Sequence, residues 1–188
     1  MGLVQTLEPG LFTVADLDAL PDDGMRYELL DGQLLVTPAP LAIHQRASSQ
    51  LFLKLTQACP LDLEVFTAPF DFRPSDRRSL QPDLLVCRCD DVGPRGTTNP
   101  PVLAVEILSP STRTTDLVTK RDLYEQAGVA SYWTYDPEQE LLMVLELRAK
   151  SYVEVALVKA DEVFEASLPF PVRVIPSELT HRVNRSAL

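Results

Sequence analysis

Two stretches of the chain read as strands buried on both faces, and each carries a single carboxylate. Residues 82–89 and 102–108 are almost continuously apolar, broken by Asp83 in the first and Glu106 in the second. Such runs suit central strands of a sheet that is covered on both sides. An unpaired carboxylate there is very costly, so each must meet a cation, a metal or hydrogen-bond donors. Alternate residues of a strand share a face, which puts Asp83 with Leu85 and Cys87, and Glu106 with Ala104 and Leu108. If the strands are neighbours, both carboxylates can point to one place.

The elements around these strands are mixed. Residues 13–20 read as a short helix with Thr13 as N-cap and Asp16 three residues on. Asp31-Gly32, between two apolar runs, predicts a two-residue hairpin. Residues 41–58 read as a helix whose stripe is Ala47, Leu51, Leu55 and Ala58, with His44 on that stripe near its start. Strands are expected at 62–67 and 69–73, followed by a polar loop over 74–79. A helix over 115–127 closes at Gly128 as C-cap. Strands follow at 130–135, 140–147 and 151–158, with a short element near 171–175. Helices on a mainly β framework argue an α/β or α+β mixed-sheet fold. At 188 residues the chain is expected to be one domain, with its core over about 12–176.

Lys120 breaks the pattern of its helix. On a helical wheel Tyr124 and Ala127 flank it, with Leu117 and Leu123 nearby, so a lysine occupies the middle of the apolar stripe. Its ammonium can snorkel past the helix edge, form a structural ion pair, or serve a functional site. Two strand carboxylates within the same 38-residue stretch, 83–120, favour the functional reading.

Two carboxylates and a lysine make chemical sense as a magnesium site. Magnesium takes oxygen ligands, binds through one or two carboxylates and keeps several waters. It polarises a phosphoryl oxygen and lowers the pKa of a bound water. A lysine beside it can orient that water, or take its proton if desolvation lowers the lysine pKa. The Ser- and Thr-rich loop 109–115 offers hydroxyls and helix N-terminal amides to an anion, or simply caps the helix.

Charge and composition set limits. The net charge is −10, from 17 basic and 27 acidic residues, which argues against nonspecific coating of nucleic acid. Residues 71–121 nevertheless carry 8 basic against 7 acidic groups, so the acid load lies elsewhere. Arg73, Arg77, Arg78, Arg88, Arg95, Arg113 and Arg121 can form a phosphate track or ordinary solvated charge. Tyr132-Trp133 reads as sheet packing. Cys59, Cys87 and Cys89 are no disulfide framework. Cys87 and Cys89 share a strand face but lack zinc spacing, and small buried thiols are the simpler reading. His44 and His181 are too few for a His-rich metal site. No apolar run is long enough for a membrane-spanning helix. The first eight residues lack a basic start and an apolar stretch, so a cytoplasmic setting is expected. There is no Gly-rich Lys-Ser/Thr loop and no Gly-x-Ser-x-Gly elbow.

Gln81-Pro82-Asp83, then 105–112, then Lys120 with Tyr124, Gly128-Val129 and Tyr132-Trp133, resemble the bacterial "putative restriction endonuclease" domain family of the PD-(D/E)XK nuclease superfamily. Tyr27-Glu28-Leu29 with Asp31-Gly32, and His44 on the next helix, resemble its pattern too. The resemblance spans about residues 12–158. It implies a restriction-endonuclease-like core with an N-terminal β-hairpin and flanking helices. It also implies metal-dependent hydrolysis of phosphodiester bonds in nucleic acid, most naturally DNA. Asp83, Glu106 and the main-chain carbonyl of Ile107 would hold Mg²⁺, with Mn²⁺ as substitute. Lys120 would position or activate the attacking water, and Glu28 and His44 become auxiliary candidates. Where the superfamily often has lysine, two residues after Glu106, this chain has Leu108, so Lys120 would take that role from the helix. The assembly expectation leaves a homodimer open and no membrane partner. The rival expectation is a noncatalytic nucleic-acid-binding or assembly protein on the same fold.

Overall fold

The computed structural model describes residues 5–6, 12–21, 23–37 and 39–181. Most of the first eight residues, behind the expectation of no secretion signal, lie outside them. The elements begin β1 (Gln5–Thr6), α1 (Val14–Asp18), β2 (Arg26–Leu30), β3 (Gln33–Thr37), α2 (Ala42–Ala58), β4 (Leu63–Thr67) and β5 (Asp71–Ser75). Next come β6 (Arg78–Leu80), β7 (Leu84–Arg88), β8 (Gly96–Thr97) and β9 (Leu103–Ile107). A π-helical segment, Thr115–Lys120, runs directly into α3 (Arg121–Ala127). The remaining elements are β10 (Ser131–Asp136), β11 (Leu141–Arg148), β12 (Ser151–Lys159), β13 (Phe164–Ala166), β14 (Val172–Val174) and α4 (Pro176–Thr180).

Local chemistry explains several of these boundaries. Thr13 Oγ1 accepts the Asp16 N–H at 3.3 Å, and Asp16 Oδ2 accepts the Thr13 N–H at 2.8 Å, a reciprocal cap on α1. Asp31 and Gly32 have φ of 51° and 82°, the positive pair a tight two-residue hairpin needs. Gly128 ends α3 at φ 84°, in the left-handed region where a Cβ is costly.

Two six-stranded sheets result. The first runs β1-β3-β2-β6-β5-β8 and the second β12-β11-β10-β9-β7-β4. In the second, β9 and β10 are parallel and the other pairs antiparallel. Both its faces are covered, as the apolar runs require. On one side, Leu84, Val86, Leu103 and Val105 pack on Ala47, Leu51 and Leu55 of α2, together with β14 and α4. On the other, Ala104, Tyr132 and Leu145 meet Leu30, Leu35, Phe72 and Leu80 of the first sheet, with Leu123 and Tyr124 of α3 between. Tyr132 and Trp133 are fully buried packing groups. Cys87 packs with Leu85 and Phe70. The mixed α/β class with mixed sheets is the one expected.

Two expectations are corrected. The 74–79 loop is instead a β5–β6 hairpin with Asp76 and Arg77 exposed at its turn, because pairing of Ser79 with Leu29 and of Leu80 with Phe72 recruits the segment into the first sheet. The 115–127 helix begins as a π-helix. Residues 164–166 and 176–180 form β13 and α4, which no periodicity over so few residues announces.

Candidate active site

Asp83 immediately precedes β7. The antiparallel register pairs Leu84 with Val105, and continuing it by one residue brings Asp83 against Glu106 near the C-terminal end of β9. The Ile107 N–H donates to Asp83 Oδ2 at 2.7 Å. From the α2 side, His44 Nε2 lies 3.1 Å from the same oxygen. From the first sheet, Arg26 Nη1 donates to Asp83 Oδ1 at 3.1 Å. Burial pushes the Asp83 carboxyl up, but His44, Arg26 and the Ile107 amide outweigh it and hold the group below the usual carboxylate range.

Glu106 lies deeper. Its Oε1 accepts from Lys120 Nζ at 3.0 Å and from the Tyr124 hydroxyl at 2.9 Å. Lys120 Nζ is also 3.0 Å from Glu28 Oε1 and 3.5 Å from Asp116 Oδ1. Glu28 faces inward because it shares a strand face with Leu30 and stands opposite Leu35, both in the core between the sheets. Its Oε1 accepts the Gln81 N–H at 2.8 Å, and Arg26 Nη2 lies 3.6 Å from its Oε2. A continuous charged chain thus runs Asp83–Arg26–Glu28–Lys120–Glu106, with Asp116 beside Lys120.

This chain is nearly dry. Glu28, Glu106, Asp116 and Lys120 are at most 2 % exposed and Asp83 is 5 % exposed. Three carboxylates around one ammonium cannot all stay ionised there without cost. Burial, helped by the neighbouring carboxylates and opposed by Lys120, pushes Glu106 well above the usual range, and Asp116 also rises. Burial alone would lower Lys120, but Glu106, Glu28 and Asp116 outweigh it and hold the ammonium charged.

Acidic side chains outnumber permanent cations in the arrangement. Among the described residues, Asp83, Glu106, Glu28 and Asp116 face two permanent cations, Arg26 and Lys120. Glu28 Oε2 and Asp116 Oδ1 accept no hydrogen bond among the described residues. Buried carboxylate oxygens in excess suit a hard divalent cation, so the residues fit a magnesium ion. Among the described residues no three His, Cys, Asp or Glu side chains are already gathered about one metal position. Arg26 and Lys120 stand between them instead.

A cleft of about 1160 Å³ leads to this cluster. Arg26, His44 and Asp83 line it, while Glu106, Glu28 and Lys120 do not. Its charged lining is balanced, with Arg26, Arg73 and Arg95 against Asp18, Asp71 and Asp83.

The structure therefore brings together all five side chains singled out from the sequence. Glu28 is buried in the site rather than solvent-facing on its hairpin. Ile107 contributes its amide to Asp83. Arg26, Asp116 and the Tyr124 hydroxyl are additional members. Arg26 could have been found as the residue two before Glu28 on the same strand face, and Asp116 as the residue four before Lys120. Three of the seven arginines of the possible phosphate track are committed elsewhere: Arg73 pairs with Asp18 and Asp71, Arg78 with Asp31, and Arg113 with Asp136. The hydroxyls of the 109–115 loop bond one another, Ser109 Oγ lying 3.1 Å from Ser111 Oγ and 2.9 Å from Thr112 Oγ1.

Residues 14–178 match the Uma2 family, described as "Putative restriction endonuclease". The chain belongs to that family. A solved structure from Anabaena variabilis ATCC 29413, described as a "putative nuclease belonging to DUF820", superposes with a TM-score of 0.72. It shares 18% identity and the alignment covers 90% of this chain and 97% of that one, a likeness of fold. No curated protein matches the chain. Uma2 membership agrees with the ordered motifs around Asp83, Glu106 and Lys120. Among the described residues no helix is long and apolar enough to cross a membrane.

Proposed function

We propose that this chain is a divalent-metal-dependent nuclease that hydrolyses phosphodiester bonds in DNA. The observation that carries the reading is the excess of buried acidic side chains over permanent cations behind a cleft that Asp83 lines. Asp83, Glu106 and the main-chain carbonyl of Ile107 would hold Mg²⁺, with Mn²⁺ as stand-in. Bound there, the ion would polarise the phosphoryl oxygen and make a coordinated water more acidic. A DNA substrate sets the action in the cytoplasm.

The chain's own groups divide the remaining work. Asp83 is already ionised and held by three donors, so it is oriented before any ion arrives. Glu106, whose pKa burial raises in the metal-free protein, would offer the ion a second carboxylate. Lys120, held charged by three carboxylates, acts as a fixed ammonium that orients water and offsets negative charge in the transition state. Its raised pKa argues against proton abstraction by Lys120, the other role its position allows. His44 supports Asp83 from α2, and Glu28 ties Lys120 to the first sheet.

The test is calorimetric titration of Mn²⁺ into the protein, paired with a nuclease assay on linear DNA. Saturable Mn²⁺ binding and metal-dependent cleavage, both lost in Asp83→Asn, are expected. DNA affinity should also fall steeply with salt. A folded protein that binds no divalent ion would overturn the reading.

The rival is a noncatalytic nucleic-acid-binding or assembly protein. The net charge of −10 and the arginines committed to ion pairs favour it. DNA binding without metal and without cleavage is its signature.

A further inference from the structure

Arg26 stands where a cation belongs. Its guanidinium donates to Asp83 Oδ1 at 3.1 Å and lies 3.6 Å from Glu28 Oε2. Lys120 is boxed in by Glu28, Glu106 and Asp116 and does not itself line the cleft. Arg26 lines the cleft, and its side chain is 26% exposed. Its Nε and Nη2 make no hydrogen bond among the described residues, so the guanidinium has donors to spare. Glu28 Oε2 is equally without a hydrogen-bond donor. The arginine thus neutralises the carboxylates without satisfying them.

We infer that Arg26 neutralises Asp83 and Glu28 in the metal-free protein and turns to the substrate phosphate once a divalent ion binds Asp83. The inference rests on the metal-site reading of Asp83 above. Two positive groups beside the same Asp83 carboxylate repel each other. An ion bound to Asp83 therefore repels the guanidinium toward the cleft, the open side. A planar fork of N–H donors there matches a phosphate bidentately. Metal and nucleic-acid phosphate should consequently bind with positive coupling, each favouring the Arg26 position that the other needs.

The test uses the full chain, titrated with Mn²⁺ alone by calorimetry. A short DNA oligonucleotide is then titrated in Ca²⁺ and followed by fluorescence anisotropy. Arg26→Ala should bind Mn²⁺ about tenfold more tightly than the wild type and the oligonucleotide about tenfold more weakly. Arg26→Lys keeps the charge without the fork. It should bind Mn²⁺ like the wild type yet bind the oligonucleotide weakly. If Arg26→Ala is too unstable to titrate, its thermal midpoint serves instead, and Mn²⁺ should raise it by more than it raises the wild type's. Mn²⁺ affinity or midpoint shift no greater than that of a metal-binding wild type overturns the role of Arg26 alone. Absence of Mn²⁺ binding in wild type and variants alike removes the metal-site reading, and this inference with it.

Discussion

Lys120 places its ammonium 3.0 Å from Glu28 Oε1, joining the helix that follows β9 to the first-sheet hairpin. The contact crosses the layer between the two sheets. Glu28 and Lys120 are each almost wholly buried, so the pair is desolvated and depends on its neighbours.

Replacing Lys120 with Ala leaves Glu28, Glu106 and Asp116 facing one another. Breaking a buried pair in this way costs about 3–5 kcal/mol. Thermal unfolding should show that loss, and added Mn²⁺ should recover part of it by supplying the missing charge. Metal-dependent cleavage should vanish even where Mn²⁺ keeps the variant folded. A folded variant with unchanged activity would take Lys120 out of the mechanism.

The metal-free protein should become less stable as pH rises above the ordinary carboxyl values of 3.8 for Asp116 and 4.5 for Glu106. Glu106 and Asp116 have folded pKa values above their ordinary ones. Each therefore binds more protons folded than unfolded once pH passes its ordinary value, so stability falls until the folded pKa is reached. The slope from one such group is at most about 1.4 kcal/mol per pH unit. Asp83 acts in the opposite sense, its contribution being lost only in strong acid, as pH falls from its ordinary value of 3.8 through the lower folded one. Denaturant titrations across this range should show the decline, and Glu106→Gln should flatten it.

Asp83→Asn keeps the side-chain shape and removes the charge. Arg26 and His44 then face a neutral amide. Mn²⁺ affinity should drop at least tenfold by calorimetry, with cleavage lost in parallel. Unaltered Mn²⁺ binding would exclude Asp83 as a ligand.

A change away from the charged chain provides the contrast. Leu51 is fully buried on the α2 stripe against the second sheet. Leu51→Ala should cost about 2–5 kcal/mol in denaturant unfolding through the cavity it leaves. Cleavage per folded molecule should stay near wild type, because no site side chain touches the charge network through Leu51.

The sequence by itself determined what local rules can encode. Asp31-Gly32 marks its hairpin because few residue pairs accept two positive φ values. Thr13 and Asp16 mark their cap, and the Ala47–Leu51–Leu55 spacing marks the buried face of α2. Asp83, Glu106 and Lys120 stood out because each places a charge where periodicity demands an apolar side chain. Those signals depend on a residue and its near neighbours alone. Which groups satisfy the misplaced charges depends on register and on how the two sheets stack. Arg26 and Glu28 reach the site because the first sheet packs over β9. His44 reaches it because α2 covers the opposite face, and Asp116 because it lies one turn before Lys120 on the same segment. No local pattern specifies pairings between segments so far apart in the chain, so only the tertiary structure decided that four carboxylates and two cations share one dry pocket.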